Sequence, residues 1–222
     1  MQTGMVFSQL KWPGIAGTIN DCAPTSAIQA VNATSPWLPL VGIKAFRKAA
    51  HAPDSEGGLV TSEVVAGIKG CYPVLADHLI VLRGARWVEF QQAADAGHPF
   101  TVAIDSSKLP AGLSFGFNGF HQVTFAVKGG KVKFANPLAQ PYSRWLNVDW
   151  SLVRDAVMAY GKAAQGKRSV YAVGLPTDDE ALALRYEWDV RAEDDTPYDQ
   201  SDIDDATAEL QAKIDAALEA LS

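Results

Sequence analysis

Cysteine is scarce in this chain, with two among 222 residues, Cys22 and Cys71. Two thiols supply no disulfide framework; a Cys22–Cys71 bridge is the one pairing open to them, and a reducing compartment leaves both free. No Cys/His cluster has zinc spacing, so neither a structural metal nor a cofactor is expected. Long apolar runs are also missing, which excludes a bilayer-spanning helix. The start, Met1-Gln2-Thr3-Gly4-Met5-Val6, has no basic stretch leading into an apolar block, so no secretory signal is expected. Synthesis in a cytoplasm, with exit by lysis or inside a larger particle, is the matching expectation. A stripe of interleaved basic and aromatic residues is lacking too, and no nucleic-acid partner is expected.

What is present is a core-forming composition, 48% apolar, with tryptophan and phenylalanine scattered along the chain. Charge divides it. Residues 177–222 hold 15 acidic and 3 basic side chains, a net of −12, which leaves residues 1–176 at +6. A basic body suits anionic polymers such as cell-wall glycans, or is simply neutralised by its own acidic tail. The expected organisation is a folded body over 1–176, an acidic linker over 177–201 and an amphipathic helix over 202–222. In that last segment Ile203, Thr207, Leu210, Ile214, Ala217 and Leu221 recur at alternating spacings of four and three, the coiled-coil interval. Such a helix docks on a neighbouring protein or pairs with a second copy of itself.

Along the body, helices come first. Pro24 to about Asn32 forms a helix behind a loop, and Val41 to Ala50 a second, with Lys44, Arg47 and Lys48 on a solvated face. Gly58-Leu59-Val60-Thr61-Ser62-Glu63 opens a third, with Thr61 or Ser62 as its expected cap. Leu79–Leu82 is a short strand, Trp87–Ala96 a helix stopped by Gly97, and Pro99–Asp105 a strand apolar on both faces and therefore central. Pro110–Asn118 is a Gly-rich loop. Gln122–Val127 and Lys131–Ala135, joined by Lys128-Gly129-Gly130, read as a β-hairpin. A helix from Asp149 to about Ala159 and a strand from Ser169 to Leu175 complete an α+β domain.

Three residues carry candidate chemistry. Cys22, preceded by Asn20-Asp21, stands at a helix mouth, where unpaired N–H groups and the helix dipole favour thiolate. Its bland reading is a small core residue. His121 heads a strand that aims its imidazole, whereas His51, His78 and His98 sit in loops and turns. Asn136 ends the next strand, and the hairpin brings it near His121, where its amide oxygen can fix the imidazole. The bland readings are a structural strand-end histidine and a turn residue before Pro137. The Cys22 N–H supplies one oxyanion donor, and Gln9 or Asn20 a second, Gln9 being preferred because it follows a short extended run.

Asp21-Cys22-Ala23-Pro24-Thr25-Ser26, the Gly97-His98-Pro99 entry to a strand, His121-Gln122-Val123-Thr124 and Val132-Lys133-Phe134-Ala135-Asn136-Pro137 together resemble the bacteriocin leader-processing peptidases. These are papain-like cysteine peptidases whose relatives include the cell-wall-cutting domains of phage lysins. The resemblance covers about residues 5–175. It implies a papain-like fold, the Cys helix packed on an antiparallel sheet, with Cys22, His121, Asn136 and Gln9 catalytic and residues 10–20 an inserted loop. It implies a peptide or a peptidoglycan cross-bridge as substrate. No transporter is attached, which argues against bacteriocin export, while the missing signal, the Ala-rich composition and the acidic helical extension suggest a bacteriophage lysin module or virion-associated tail protein. In the latter case 202–222 contacts other phage structural proteins. Acyl transfer is open to the same site. A retired peptidase fold serving as a docking module of a phage particle is the alternative.

Overall fold

The hairpin turn sets the middle of the sheet. Gly129 and Gly130 take φ of 56° and 69°, the left-handed pair that a two-residue turn between right-twisted strands requires. The strands it joins are β3 (Phe120–Lys128) and β4 (Lys131–Ala135), paired from Lys128–Lys131 to Thr124–Ala135. A computed structural model describes residues 6–9, 20–52, 57–139 and 144–194, the side chains of 188–194 excepted. The chain divides into two units, Met1–Leu184 and Arg185–Ser222.

Before the hairpin come helices α1 (Cys22–Thr34), α2 (Ile43–Ala49) and α3 (Thr61–Cys71), strand β1 (Ile80–Ala85), helix α4 (Trp87–Asp95), strand β2 (Phe100–Asp105) and a one-turn helix α5 (Ala111–Ser114). After it come β5 (Leu146–Val148), α6 (Trp150–Gln165), β6 (Val170–Gly174) and α7 (Asp178–Asp194). The six strands lie in the order β1-β6-β2-β3-β4-β5 with every pair antiparallel. The fold class is therefore α+β, with α1 packed on the sheet, and β2 lies inside it between β6 and β3. No helix among the described residues is long and apolar enough to cross a membrane.

Several expectations needed adjustment. Val60, not Thr61 or Ser62, is the cap residue of α3, its N–H donating to Glu63 Oε2 at 2.7 Å. The Gly-rich loop contains α5. The helix expected to end near Ala159 continues to Gln165, where Gly166 closes it at φ 74°. At Gly161 a Cβ would come within 2.3 Å of the Ser169 carbonyl oxygen, so glycine lets α6 close on the start of β6. The stretch expected as an acidic linker carries α7, begun by a reciprocal cap between Thr177 and Glu180 and seated by buried Ala181 and Leu184. The amphipathic segment 202–222 lies outside the described residues.

Strand alternation divides the core. Val123 and Phe125 of β3 join Phe90 of α4 and Val153, Ala156 and Val157 of α6 on one face. Gln122, Thr124 and Ala126 turn to the other, where α1 lies. Leu75, Val173 and Leu175 extend that second face with Ile28, Phe46 and Ile68.

Candidate active site

Cys22 is the first residue of α1, and the helix mouth is fixed by a pair that sequence reasoning misplaced. Arg47 is buried, not solvated: its Nε donates to Asp21 Oδ1 at 2.6 Å, and its Nη2 to the carbonyls of Asn20 at 2.9 Å and Gly57 at 3.3 Å. Its spacing from two lysines suggested a wet face, but Asp21 is only 26 residues away and gives the guanidinium an inward target.

The helix is stitched to β3 beyond the point where β4 stops. The last β3–β4 pair is Thr124–Ala135. Past it, Ser26 Oγ donates to Gln122 O at 2.9 Å, Thr124 Oγ1 donates to Ser26 O at 2.9 Å, and the Gln122 N–H points at Cys22 Sγ. The thiol thus rests against the backbone of the residue that follows His121.

The imidazole is held by Asn136. Its Nε2 lies 2.8 Å from Asn136 Oδ1. That oxygen also accepts the Leu138 N–H at 2.9 Å, while Nδ2 donates to Leu113 O at 2.9 Å. The amide orientation is assigned by these two neighbours, so Oδ1 faces the ring and Nε2 carries the hydrogen. The basic lone pair is then on Nδ1, which has no hydrogen-bond partner among the described residues. Phe117 packs on the ring with centroids 5.3 Å apart.

Gln9 reaches the same place. It is fully buried, and its backbone N–H donates to Pro137 O at 2.9 Å, next to Asn136. Phe7 N–H donates to Gln29 Oε1 of α1 at 2.6 Å, which ties this segment to the Cys helix. Most of the expected inserted loop, 10–19, lies outside the described residues. Asn20, the alternative donor, precedes the helix and gives its carbonyl to Arg47.

His121 is bonded to Asn136, the Gln9 backbone is bonded to the residue after Asn136, and the Cys22 thiol lies at the backbone N–H of Gln122, the residue after the histidine. No hydrogen bond joins Sγ to the imidazole among the described residues. Alternation puts the His121 side chain on the Val123 face, while the thiol arrives from the α1 side at the level of the strand backbone.

Electrostatics differ from the sequence expectation. Burial pushes the Cys22 thiol above its ordinary pKa, outweighing the backbone N–H groups of Gln122, Ala23 and Cys22 itself. Burial also lowers His121 to about 4, against a smaller upward pull from Asn136. At neutral pH the resting groups are a thiol and a neutral imidazole, not the ion pair that the helix dipole suggested. Cys22 and Cys71 are both free. Tyr160 of α6, its hydroxyl pKa raised by burial and by the nearby Tyr171 and Cys22, packs on Phe120 and Tyr171 at 5.3 and 5.6 Å.

Arg47, Phe117 and Tyr160 were not found from sequence. Arg47 had a signal, an acidic residue directly before the candidate nucleophile that needs a partner if buried. Phe117 and Tyr160 had none, because only the folded chain brings them to the site. Among the described residues no group of three His, Cys, Asp or Glu side chains could hold a metal ion. Comparison with protein-family models, with curated proteins and with solved structures found no match to this chain.

Proposed function

We propose that the chain is a papain-like cysteine peptidase or amidase acting on peptide or peptidoglycan cross-bridge amides, as a bacteriophage lysin module or virion-associated protein. The observation that carries this reading is the 2.8 Å bond from His121 Nε2 to Asn136 Oδ1. It leaves Nδ1 as base, with the thiol against the adjacent backbone amide. Because both groups are neutral at rest, the proton moves as substrate binds. Cys22 Sγ–H gives its proton to His121 Nδ1 while Sγ bonds to the amide carbonyl carbon. The Cys22 N–H and the Gln9 side-chain amide receive the developing oxyanion. The C–N bond then breaks, the leaving amine takes the proton from Nδ1, and water releases the acid from the thioester. An amine in place of water gives acyl transfer.

A second reading, a retired fold used for docking in a phage particle, is favoured by the burial of the two groups, 8% exposed at Cys22 and 4% at His121. It is favoured also by the absence of a bond between them among the described residues. A peptidyl vinyl sulfone read by intact mass separates the two. The peptidase reading expects one adduct on Cys22, none in Cys22→Ser, and a rate about 100-fold lower in His121→Ala. An adduct on Cys71 at the same rate, or one indifferent to His121, leaves the docking role. Finding the chain in lysate but never in purified particles removes the virion version.

A further inference from the structure

Beside Asn136 opens a cavity of about 250 Å³. Val6, Phe115, Phe134 and Leu146 give it apolar walls, and Arg144, itself exposed, lines it with no ion-pair partner among the described residues. Phe115 is the unusual member. Its φ of 51° lies in the left-handed region, where a bulky side chain is strained, yet the ring is 46% exposed. A strained, solvent-facing aromatic adds little to folding, and its strain is held by the loop that also serves the candidate site. Leu113 O in that loop receives Asn136 Nδ2, and Phe117 lies on His121.

We propose that this cavity binds the C-terminal residue of a peptide, its apolar side chain between Phe115, Phe134, Val6 and Leu146 and its α-carboxylate on Arg144. The assignment deepens the peptidase reading and rests on it for the class of ligand. The size of the cavity decides between carboxylates. Space of this order accommodates one large side chain, so the anion that reaches Arg144 belongs to the same residue. A guanidinium fork also suits phosphate, but a dianion against apolar walls leaves charge without partners.

N-acetylphenylalanine and N-acetylphenylalanine amide, titrated into the full chain by calorimetry or by NMR, test the proposal. The acid is expected to bind about tenfold more tightly than the amide, the size of one charge-assisted contact. Arg144→Ala should erase that difference without shifting thermal melting, since the side chain is exposed. Phe115→Ala should weaken acid and amide alike, and Cys22→Ser should bind as the parent does. Equal binding of acid and amide, no binding of either, or a preference that survives Arg144→Ala overturns the assignment. An acid preference in a chain that fails the vinyl sulfone test supports the cavity and removes the peptidase. Vinyl sulfone reactivity without the preference removes the cavity alone.

Discussion

On one face of the sheet, Phe90, Phe100, Phe125, Phe134 and Trp150 pack ring against ring, with centroids 5.2 Å apart for Phe90–Phe100, 5.3 Å for Phe125–Phe134 and 5.4 Å for Phe90–Trp150. On the other face, α1 buries small side chains such as Ala23, Ala27 and Ala30 and is fastened by polar bonds from Ser26, Thr124 and Gln29. The aromatic face contributes area and dispersion, which are strong but undirected. The α1 face contributes bonds that are individually weak but fix distance and angle. Cys22 belongs to the second face, so its placement is set by directed contacts while the opposite face supplies the stability that holds them.

Four measurements press on that contrast. Phe90→Ala should cost about 4 kcal/mol in denaturant melts, from lost burial and a residual void. Below its melting range it should leave vinyl sulfone addition to Cys22 unchanged; a slowed reaction would show that the aromatic face also places the thiol. Arg47→Ala should cost about 3 kcal/mol, because Asp21 is left buried without its cation, and should slow Cys22 as well. Adding Asp21→Asn should recover part of the stability.

Acid should act next. The folded-state pKa of His121 is about 4, below the ordinary 6.5, so between these values the unfolded chain takes the proton and the native chain resists it. Its contribution is intact above pH 6.5 and is lost as pH falls through about 4, by on the order of 3 kcal/mol in total. Stability curves that fall equally in His121→Gln would assign the loss to other groups. Ser26→Ala should be smallest in stability, about 1 kcal/mol, yet it should slow Cys22 where Phe90→Ala does not. A Ser26 variant with parental reactivity would dissolve the distinction between the faces.

The parts legible in the sequence were those with local causes. Gly129-Gly130 announces its own turn, and once the turn is placed, Asn136 near His121 follows from pairing. Strand β2 reads as central because Phe100, Val102 and Ile104 alternate with Thr101 and Ala103, leaving both faces fit for burial. β5 escaped notice because three residues, Leu146–Val148, carry too short a pattern. Arg47 misled because helical position says which side chains share a face, not which face turns inward. The titration of Cys22 was unreadable for a related reason: the helix mouth is visible in the sequence, but the burial that overrules it exists only in the folded chain.

β6 has one more consequence, for timing. It is the last strand among the described residues, yet it lies between β1 and β2, bonded to both. Until Val170–Gly174 has left the ribosome, β1 has no neighbour, and the cysteine, histidine and asparagine ride on an unfinished platform. A product truncated by stalled translation before that point carries every candidate catalytic residue and lacks the closed sheet.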